Sequence, residues 1–277
     1  MNVYPVETGN FKLDGGAMFG VVPKSIWHKT NPADSNNMCN WAMRCLLVED
    51  GDRLILIDSG IGDKQNEKFF SHFHLNGDAS LEKSLAKLGF HCNDITDVLI
   101  THLHFDHVGG AVKRANGKFT LTFPNARYWS NQQHWDWAIN PNPREKASFL
   151  SENILPIKEL GHLNFIKSGN ELGEHIEILT VNGHTEAQMI PIVTFKNKKI
   201  AFTADLIPSV GHLKIPYLPS YDIRPLRTME EKELFLQRAI NEDIQLFFEH
   251  DAYHQCCSVI QDERGVKLNQ TFNLSEL

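Results

Sequence analysis

The chain has 277 residues, of which 42% are hydrophobic and 22% charged, and this size and composition suit a folded protein with a large core. The 27 basic and 34 acidic side chains give a net charge of -7 with no basic stripe, which argues against a nucleic-acid partner. No apolar run is long enough to cross a bilayer, no signal peptide is recognisable, and the five cysteines form no CxxC pair. We therefore expect a cytoplasmic protein without a membrane partner, folded as one domain over residues 1–277.

Two segments of the chain, residues 45–58 and 189–205, follow the same pattern. Each predicts a strand, a tight charged turn and a second strand that ends in an aspartate, Asp58 in the first segment and Asp205 in the second. The repeated order predicts two similar halves, each with its own sheet.

Hydrophobic spacing predicts the elements between and after these segments. Leucines at helical spacing predict a helix over residues 79–88, and a strand over 98–100 follows it. Residues 229–241 predict another helix, with Thr228 as its N-cap, and a strand over 245–250 comes next.

The segment after the predicted strand over 98–100 contains the residues that decide the function. Three histidines and an aspartate lie close together, at His102, His104, Asp106 and His107. Bare imidazoles and a carboxylate are costly to pack together, but they are the nitrogen and oxygen donors that an ion such as Zn²⁺ prefers. The alternative is a polar surface loop, and four ligand-type residues at this spacing favour the metal site.

A metal site needs donors from more than one segment, and three further candidates follow predicted strands. They are His184, Asp205 and His250. Taken singly, each is as easily an ordinary surface or core residue. Their matching positions at strand ends, where α/β proteins build their sites, favour metal ligands.

The pattern His-x-His-x-Asp-His, followed by single His, Asp and His residues, resembles the metallo-β-lactamase superfamily of hydrolases over about residues 18–251. The resemblance implies an α/β fold, a four-layer αββα sandwich of two similar halves. It also implies two divalent metal ions, with zinc favoured and iron, manganese or cobalt left open. The ligands that it implies are His102, His104 and His184 for one ion, Asp106, His107 and His250 for the other, and Asp205 as the bridge. Asp58 matches a position that orients ligands, with an ordinary turn residue as the alternative.

Three further stretches, residues 13–23, 205–212 and 219–225, are similar to quorum-quenching lactonases and related organophosphate hydrolases. Lactonases of this type carry a tyrosine where this chain has Pro208. Plain packing is the alternative role for most of the pocket candidates. The substrate-pocket candidates are Met18, Phe19, Phe105, His212, Tyr217 and Tyr221.

We expect a lactonase that opens N-acyl homoserine lactones by attack of a metal-bridging hydroxide, with Asp106 as the catalytic proton carrier. A metal-dependent esterase, phosphotriesterase or thioesterase with the same site is the alternative, and a non-enzymatic metal-binding protein is the second. The expected partner is a small neutral substrate such as an acyl lactone or ester. The sequence leaves open whether the chain forms a homodimer, and whether the aromatic region 129–143 is a lid or an interface.

Overall fold

The computed structural model describes residues 1–277 and contains strands and helices in alternation. The strands are β1 (Asn2–Asp14), β2 (Met38–Asp50), β3 (Arg53–Ile57), β4 (Asp97–Leu99), β5 (Val112–Ala115), β6 (Lys118–Leu121), β7 (Arg127–Ser130), β8 (Leu163–Phe165), β9 (Ile176–Val181), β10 (Gln188–Phe195), β11 (Lys198–Phe202), β12 (Ile244–Phe247), β13 (Cys256–Asp262) and β14 (Gly265–Phe272). The helices are α1 (Gly15–Phe19), α2 (Lys24–Trp27), α3 (Glu67–Ser71), α4 (Leu81–Lys87), α5 (Phe105–Val108), α6 (Gln132–Ala138), α7 (Ser151–Glu159) and α8 (Pro225–Asn241). None of these helices combines the length and the apolar character that a membrane span needs.

The chain divides into two compact units. The first comprises Met1–Gly9 and Met43–Glu174, and the second comprises Asn10–Ala42 and His175–Leu277. Two six-stranded sheets are present, as the repeated sequence pattern predicted. The assignment of residues 1–277 to a single domain stays a prediction.

In the first unit, parallel strands bring the ends of two segments together. The sheet order is β1-β2-β3-β4-β7-β8, with β3, β4, β7 and β8 parallel to one another. Because parallel strands end at the same edge of a sheet, Asp58 after β3 lies beside Thr101 after β4. The buried side chains of Leu56, Val98 and Ile100 fix these strands in the hydrophobic core. The segment that carries His102, His104, Asp106 and His107, called the histidine loop below, therefore begins at a rigid edge of the sheet.

The second unit has the sheet order β14-β13-β12-β11-β10-β9, in which only β11 and β12 are parallel. Helix α8 packs against β12 and β13 and buries Phe235 and Leu236. Asp205 follows β11 and His250 follows β12, so the two side chains reach the same edge of this sheet.

The structure confirms two predicted helices and corrects one cap. The helix predicted over 79–88 is α4, and its N-cap Ser80 accepts a hydrogen bond from a backbone N–H of the first turn. The helix predicted from Met229 is α8, which begins earlier, at Pro225. The assignment of Thr228 as the N-cap is therefore wrong, since Thr228 lies buried inside the helix. Proline suits the first helical position because its fixed φ is already helical and its missing N–H costs no bond there.

Two backbone segments of the first unit meet where the histidine loop ends. The N–H of Ser59 donates to the carbonyl of His107 at 2.8 Å, and the N–H of Gly110 donates to the carbonyl of Gly60 at 2.8 Å. A Cβ atom on Gly110 would lie 2.1 Å from the carbonyl oxygen of Ser59. Only glycine allows this approach, which fixes the histidine loop against the segment after β3.

We predict that Gly110→Ala lowers the free energy of unfolding by about 1–3 kcal/mol, because the added methyl group must push two hydrogen-bonded backbone segments apart. Urea unfolding followed by circular dichroism measures this change. Gly117→Ala is the comparison, since a Cβ there meets nothing within 4 Å and strains only a left-handed backbone. Equal midpoints for Gly110→Ala and the unmodified protein would contradict the role of this contact.

Candidate metal centre

The first unit gathers four metal donors in one buried cluster. His102 and His104 belong to the loop after β4, and Asp106 and His107 lie in the short helix α5. His102 Nε2 lies 3.1 Å from His104 Nδ1, and the rings of His102 and His107 are 3.9 Å apart between centroids. Each of the four predicted ligands of this segment is buried with its neighbours.

Asp58 sets which nitrogens of this cluster are available to a metal. It has a left-handed backbone, φ 58°, and accepts hydrogen bonds from the N–H of Thr101 at 2.7 Å and from its hydroxyl at 2.6 Å. It also accepts from His107 Nδ1 at 3.0 Å. Since the Thr101 hydroxyl gives its only hydrogen to Asp58, it accepts from His102 Nδ1, 3.1 Å away. Both imidazoles then keep the Nε2 lone pair that a metal ligand requires.

Residues in and just after the aromatic region 129–143 support the same loop. His134 on α6 accepts a hydrogen bond from the N–H of Leu103 at 2.8 Å. The carboxylate of Glu145 lies 3.6 Å from His104 Nε2 and accepts from the indole of Trp137 at 2.8 Å. The roles of His134 and Glu145 were not predicted, because nothing in their local sequence pattern indicates which loop they contact.

The second unit places one carboxylate between two imidazoles. Asp205 Oδ2 lies 3.0 Å from His184 Nε2, and Asp205 Oδ1 lies 3.0 Å from His250 Nε2. The preceding Ala204 has a positive φ of 41°, an uncommon conformation for a residue with a side chain, and it turns the chain sharply after β11. A carboxylate with one oxygen toward each imidazole has the arrangement that a bridging metal ligand needs.

The outer nitrogen of each of these imidazoles is held as well. His184 Nδ1 lies 2.9 Å from Asp222 Oδ1, and His250 Nδ1 donates to the carbonyl of Ala42 at 2.9 Å. Burial by itself would lower the pKa of His184, but Asp205 and then Asp222 raise this pKa to about 10. The carboxylates thus create a place where positive charge is stabilised. Asp222 was not predicted, although it lies in the stretch 219–225 used for the resemblance.

Two pocket candidates of the second unit, Phe19 and His212, lie in an aromatic stack, and a third, Met18, contacts it through its backbone carbonyl. The ring of Phe19 stacks on His212 at 4.3 Å and on Trp27 at 5.4 Å. Both ring nitrogens of His212 contact protein atoms at 2.8 Å, the hydroxyl of Ser209 and the carbonyl of Met18. Burial lowers the pKa of His212 to about 3, so the ring is neutral at physiological pH. The structure explains these contacts as packing, and their pocket role stays a prediction.

The other candidates differ in exposure. In the first unit, Phe105 contacts the rings of Phe69 and Phe73, with centroids 5.4 and 4.7 Å away. Phe69 lies on α3 and Phe73 follows that helix, and neither residue was predicted to contact Phe105. In the second unit, Tyr217 is half-buried and Tyr221 is 42% exposed. The roles of Phe105 and the two tyrosines also stay predictions.

Comparison with known proteins places this site in a family. Residues 44–243 match the family model described as the metallo-beta-lactamase superfamily, so the chain belongs to that superfamily. A probable metal-dependent hydrolase from Staphylococcus aureus has a similar structure, with a TM-score of 0.89 and 28% sequence identity over 98% of this chain and 96% of that one. The chain is therefore a hydrolase of this superfamily, and the predicted α/β fold class is confirmed.

Two further relatives have more specific descriptions. The dizinc quorum-quenching lactonase AidC, solved with an N-acyl homoserine product, has a TM-score of 0.81 and 22% identity over 98% of this chain and 95% of that one. An N-acyl homoserine lactonase of Bacillus thuringiensis is 25% identical over 181 residues, which cover 61% of this chain and 65% of the relative. These are proteins that the chain resembles.

We predict that Asp58→Asn and Asp222→Asn each weaken metal binding by about 10–100-fold, because each carboxylate holds a ligand imidazole through its outer nitrogen. Competition with a chromophoric chelator gives the affinities. The control is Asp262→Asn, which removes the charge from a surface ion pair with Lys267 and keeps an oxygen that can accept from the N–H of Arg264. Metal affinities of the two test variants that equal that of the control would contradict this role.

Proposed function

We propose that this hydrolase is a lactonase that uses two divalent metal ions to open N-acyl homoserine lactones. The observation that carries the proposal is the set of His and Asp donors, four in the first unit and three in the second, all of which are buried except the half-buried Asp205. Their imidazole and carboxylate atoms fit Zn²⁺, and the same set accepts Fe, Mn or Co. The lactonases among the relatives support the substrate class.

The proposed ligands follow the family resemblance. His102, His104 and His184 would bind one ion, Asp106, His107 and His250 the other, and Asp205 both. Within each unit, hydrogen bonds fix the outer nitrogens of His102, His107, His184 and His250, which supports the assignment of their inner nitrogens to metal. When bound, two such ions supply Lewis-acid activation of water and of the lactone carbonyl.

Side chains of the protein would transfer the proton of the attacking water and orient the imidazoles that bind the metal ions. Asp106 is buried and its Oδ2 lies 3.9 Å from His107 Nε2. Its carboxylate would hold the proton lost by the attacking water and pass it to the ring oxygen that leaves as the lactone opens. Asp58 and Asp222 would keep the ligand rings in place throughout, because each already accepts from an imidazole Nδ1.

The apolar rings near Asp106 suit a substrate with an acyl chain. Phe105 with Phe69 and Phe73 forms an aromatic cluster beside the metal loop, and such rings bind hydrocarbon without needing hydrogen bonds. In the second unit, the proposed substrate-pocket residues are Met18, Phe19, His212, Tyr217 and Tyr221. Tyr217 or Tyr221 would take the place of the tyrosine that Pro208 replaces. A cytoplasmic setting is part of the proposal, since the five cysteines form no CxxC pair and no even set that would indicate a disulfide framework.

The proposal predicts metal-dependent ring opening of N-acyl homoserine lactones, measured by proton release with short-chain and long-chain substrates. The assay compares the protein loaded with Zn²⁺ or Co²⁺ with the same protein after chelation. Turnover that chelation removes and metal restores is the expected result. If the loaded protein leaves every lactone intact but hydrolyses aryl esters, phosphotriesters or thioesters, the lactonase assignment is wrong and the hydrolase class remains.

We predict that His104→Ala abolishes this hydrolysis while the far-ultraviolet circular dichroism spectrum is retained, because the variant removes one metal donor at the end of a loop. Rates under equal metal loading measure the effect. His91→Ala is the matched control, since it changes an exposed histidine of the same unit. Undiminished turnover by His104→Ala would contradict the proposed ligand set.

A further inference from the structure

Lys232 on α8 is completely buried, which is rare for a lysine. Its ammonium donates to three backbone carbonyls, those of Lys214 at 2.8 Å, Ile215 at 3.3 Å and Tyr217 at 2.8 Å. All three acceptors belong to the irregular segment 213–219, called the 213–219 loop below. The Lys232 side chain thus donates hydrogen bonds to three carbonyls within four consecutive residues.

Burial of the Lys232 ammonium costs free energy, because the charge is removed from water. Burial lowers the pKa of Lys232 to about 7, which reflects the cost of removing this charge from water. A methionine would fill a similar volume without that cost. Within the 213–219 loop the N–H of Tyr217 donates to the carbonyl of Lys214 at 2.9 Å. Pro216 and Pro219 have no N–H to donate, so the carbonyls of Ile215 and Tyr217 have few donors within the loop. The carbonyls of such a loop need an external donor when they are buried.

The residue before Lys232 holds a different loop. The Glu231 carboxylate accepts from the N–H groups of Asn182 and Gly183, each at 2.9 Å. A Cβ atom on Gly183 would lie 2.3 Å from the hydroxyl oxygen of Thr228, so the loop before His184 is pressed directly onto α8. Two consecutive residues of α8 therefore hold two loops, since Glu231 binds the loop before His184 and Lys232 binds the 213–219 loop.

We propose that Lys232 is a positioning residue that fixes the 213–219 loop as a wall of the substrate pocket, and that Glu231 and Lys232 set this wall and the His184 loop relative to one another. The inference rests on the proposed function, because it takes Tyr217 to be a pocket residue. The expected effect on acyl-chain binding can be measured separately from the effect on the catalytic rate. Loss of the Lys232 ammonium would change how an acyl chain is bound while the metal donors stay in place.

The test compares Lys232→Met, which keeps an unbranched side chain of similar size but no donor, with Lys198→Met, which changes an exposed lysine of the same unit. Metal content and lactone kinetics are measured for both. We expect Lys232→Met to keep its metal, to raise KM for a long-chain lactone by about tenfold with kcat within about twofold, and to change KM for a short-chain lactone much less. Lys198→Met should match the unmodified enzyme.

Trypsin digestion under native conditions gives a readout that needs no substrate. The peptide bond after Lys214 lies in the 213–219 loop, and we expect Lys232→Met to be cut there at least about tenfold faster than Lys198→Met. Equal cleavage together with an unchanged KM for both chain lengths would overturn the proposal. So would an equal loss of kcat on every substrate, since that result indicates damage to the metal site.

Hydrogen exchange on the unmodified enzyme decides the case in which Lys232→Met does not fold. Within the loop the amide of Tyr217 donates to the Lys214 carbonyl. Exchange of this amide as slow as in the middle turns of α8 supports the proposal, and exchange as fast as in an exposed turn overturns it. If the unmodified enzyme opens no lactone, the proposed lactonase function fails. Cleavage, exchange and KM on the ester that it does hydrolyse then test Lys232 independently.

Discussion

The carboxylate of Asp58 makes the contacts that the rest of the histidine loop requires. It joins the end of β3 to Thr101 at the end of β4 and to the ring of His107, all within 3.0 Å. Through the Thr101 hydroxyl it also decides the proton position on His102. Because these groups are buried, the hydrogen bonds act in a low dielectric, where an unmatched donor or acceptor would be costly. The hydrogen bonds of Asp58 and Thr101 therefore leave the Nε2 atoms of His102 and His107 available to bind a cation.

In the second unit, other residues hold the ligand imidazoles in a similar way. Its ligand candidates follow strands, as in the first unit, and the outer nitrogens of His184 and His250 are held by the carboxylate of Asp222 and the carbonyl of Ala42. Asp205 lies between the two imidazoles, and the raised pKa of His184 shows how strongly the local carboxylates favour positive charge. Helix α8 adds Glu231 and Lys232, which hold backbone groups of two separate loops. Charged residues thus stabilise irregular segments where regular hydrogen bonding is absent.

The sequence predicted the parts of this arrangement that depend on local pattern. Alternating apolar residues located the strands before Asp58, Asp205 and His250, and the spacing of His102 to His107 is a local signal of metal binding. Residues that act across long chain separations were missed. Asp222 contacts a histidine 38 positions away, and the cap of α8 was misplaced because Pro225 competes with Thr228 as the start of the helix. Local patterns do not specify which distant loop a buried carboxylate or lysine will meet.

The proposed function requires the seven His and Asp donors to hold two metal ions. Crystals of the Zn²⁺-loaded protein, measured on both sides of the zinc absorption edge, test it most directly. We expect two zinc peaks in the anomalous map, both at the seven proposed donors. A single peak, or peaks at residues other than the seven proposed donors, would contradict the proposal.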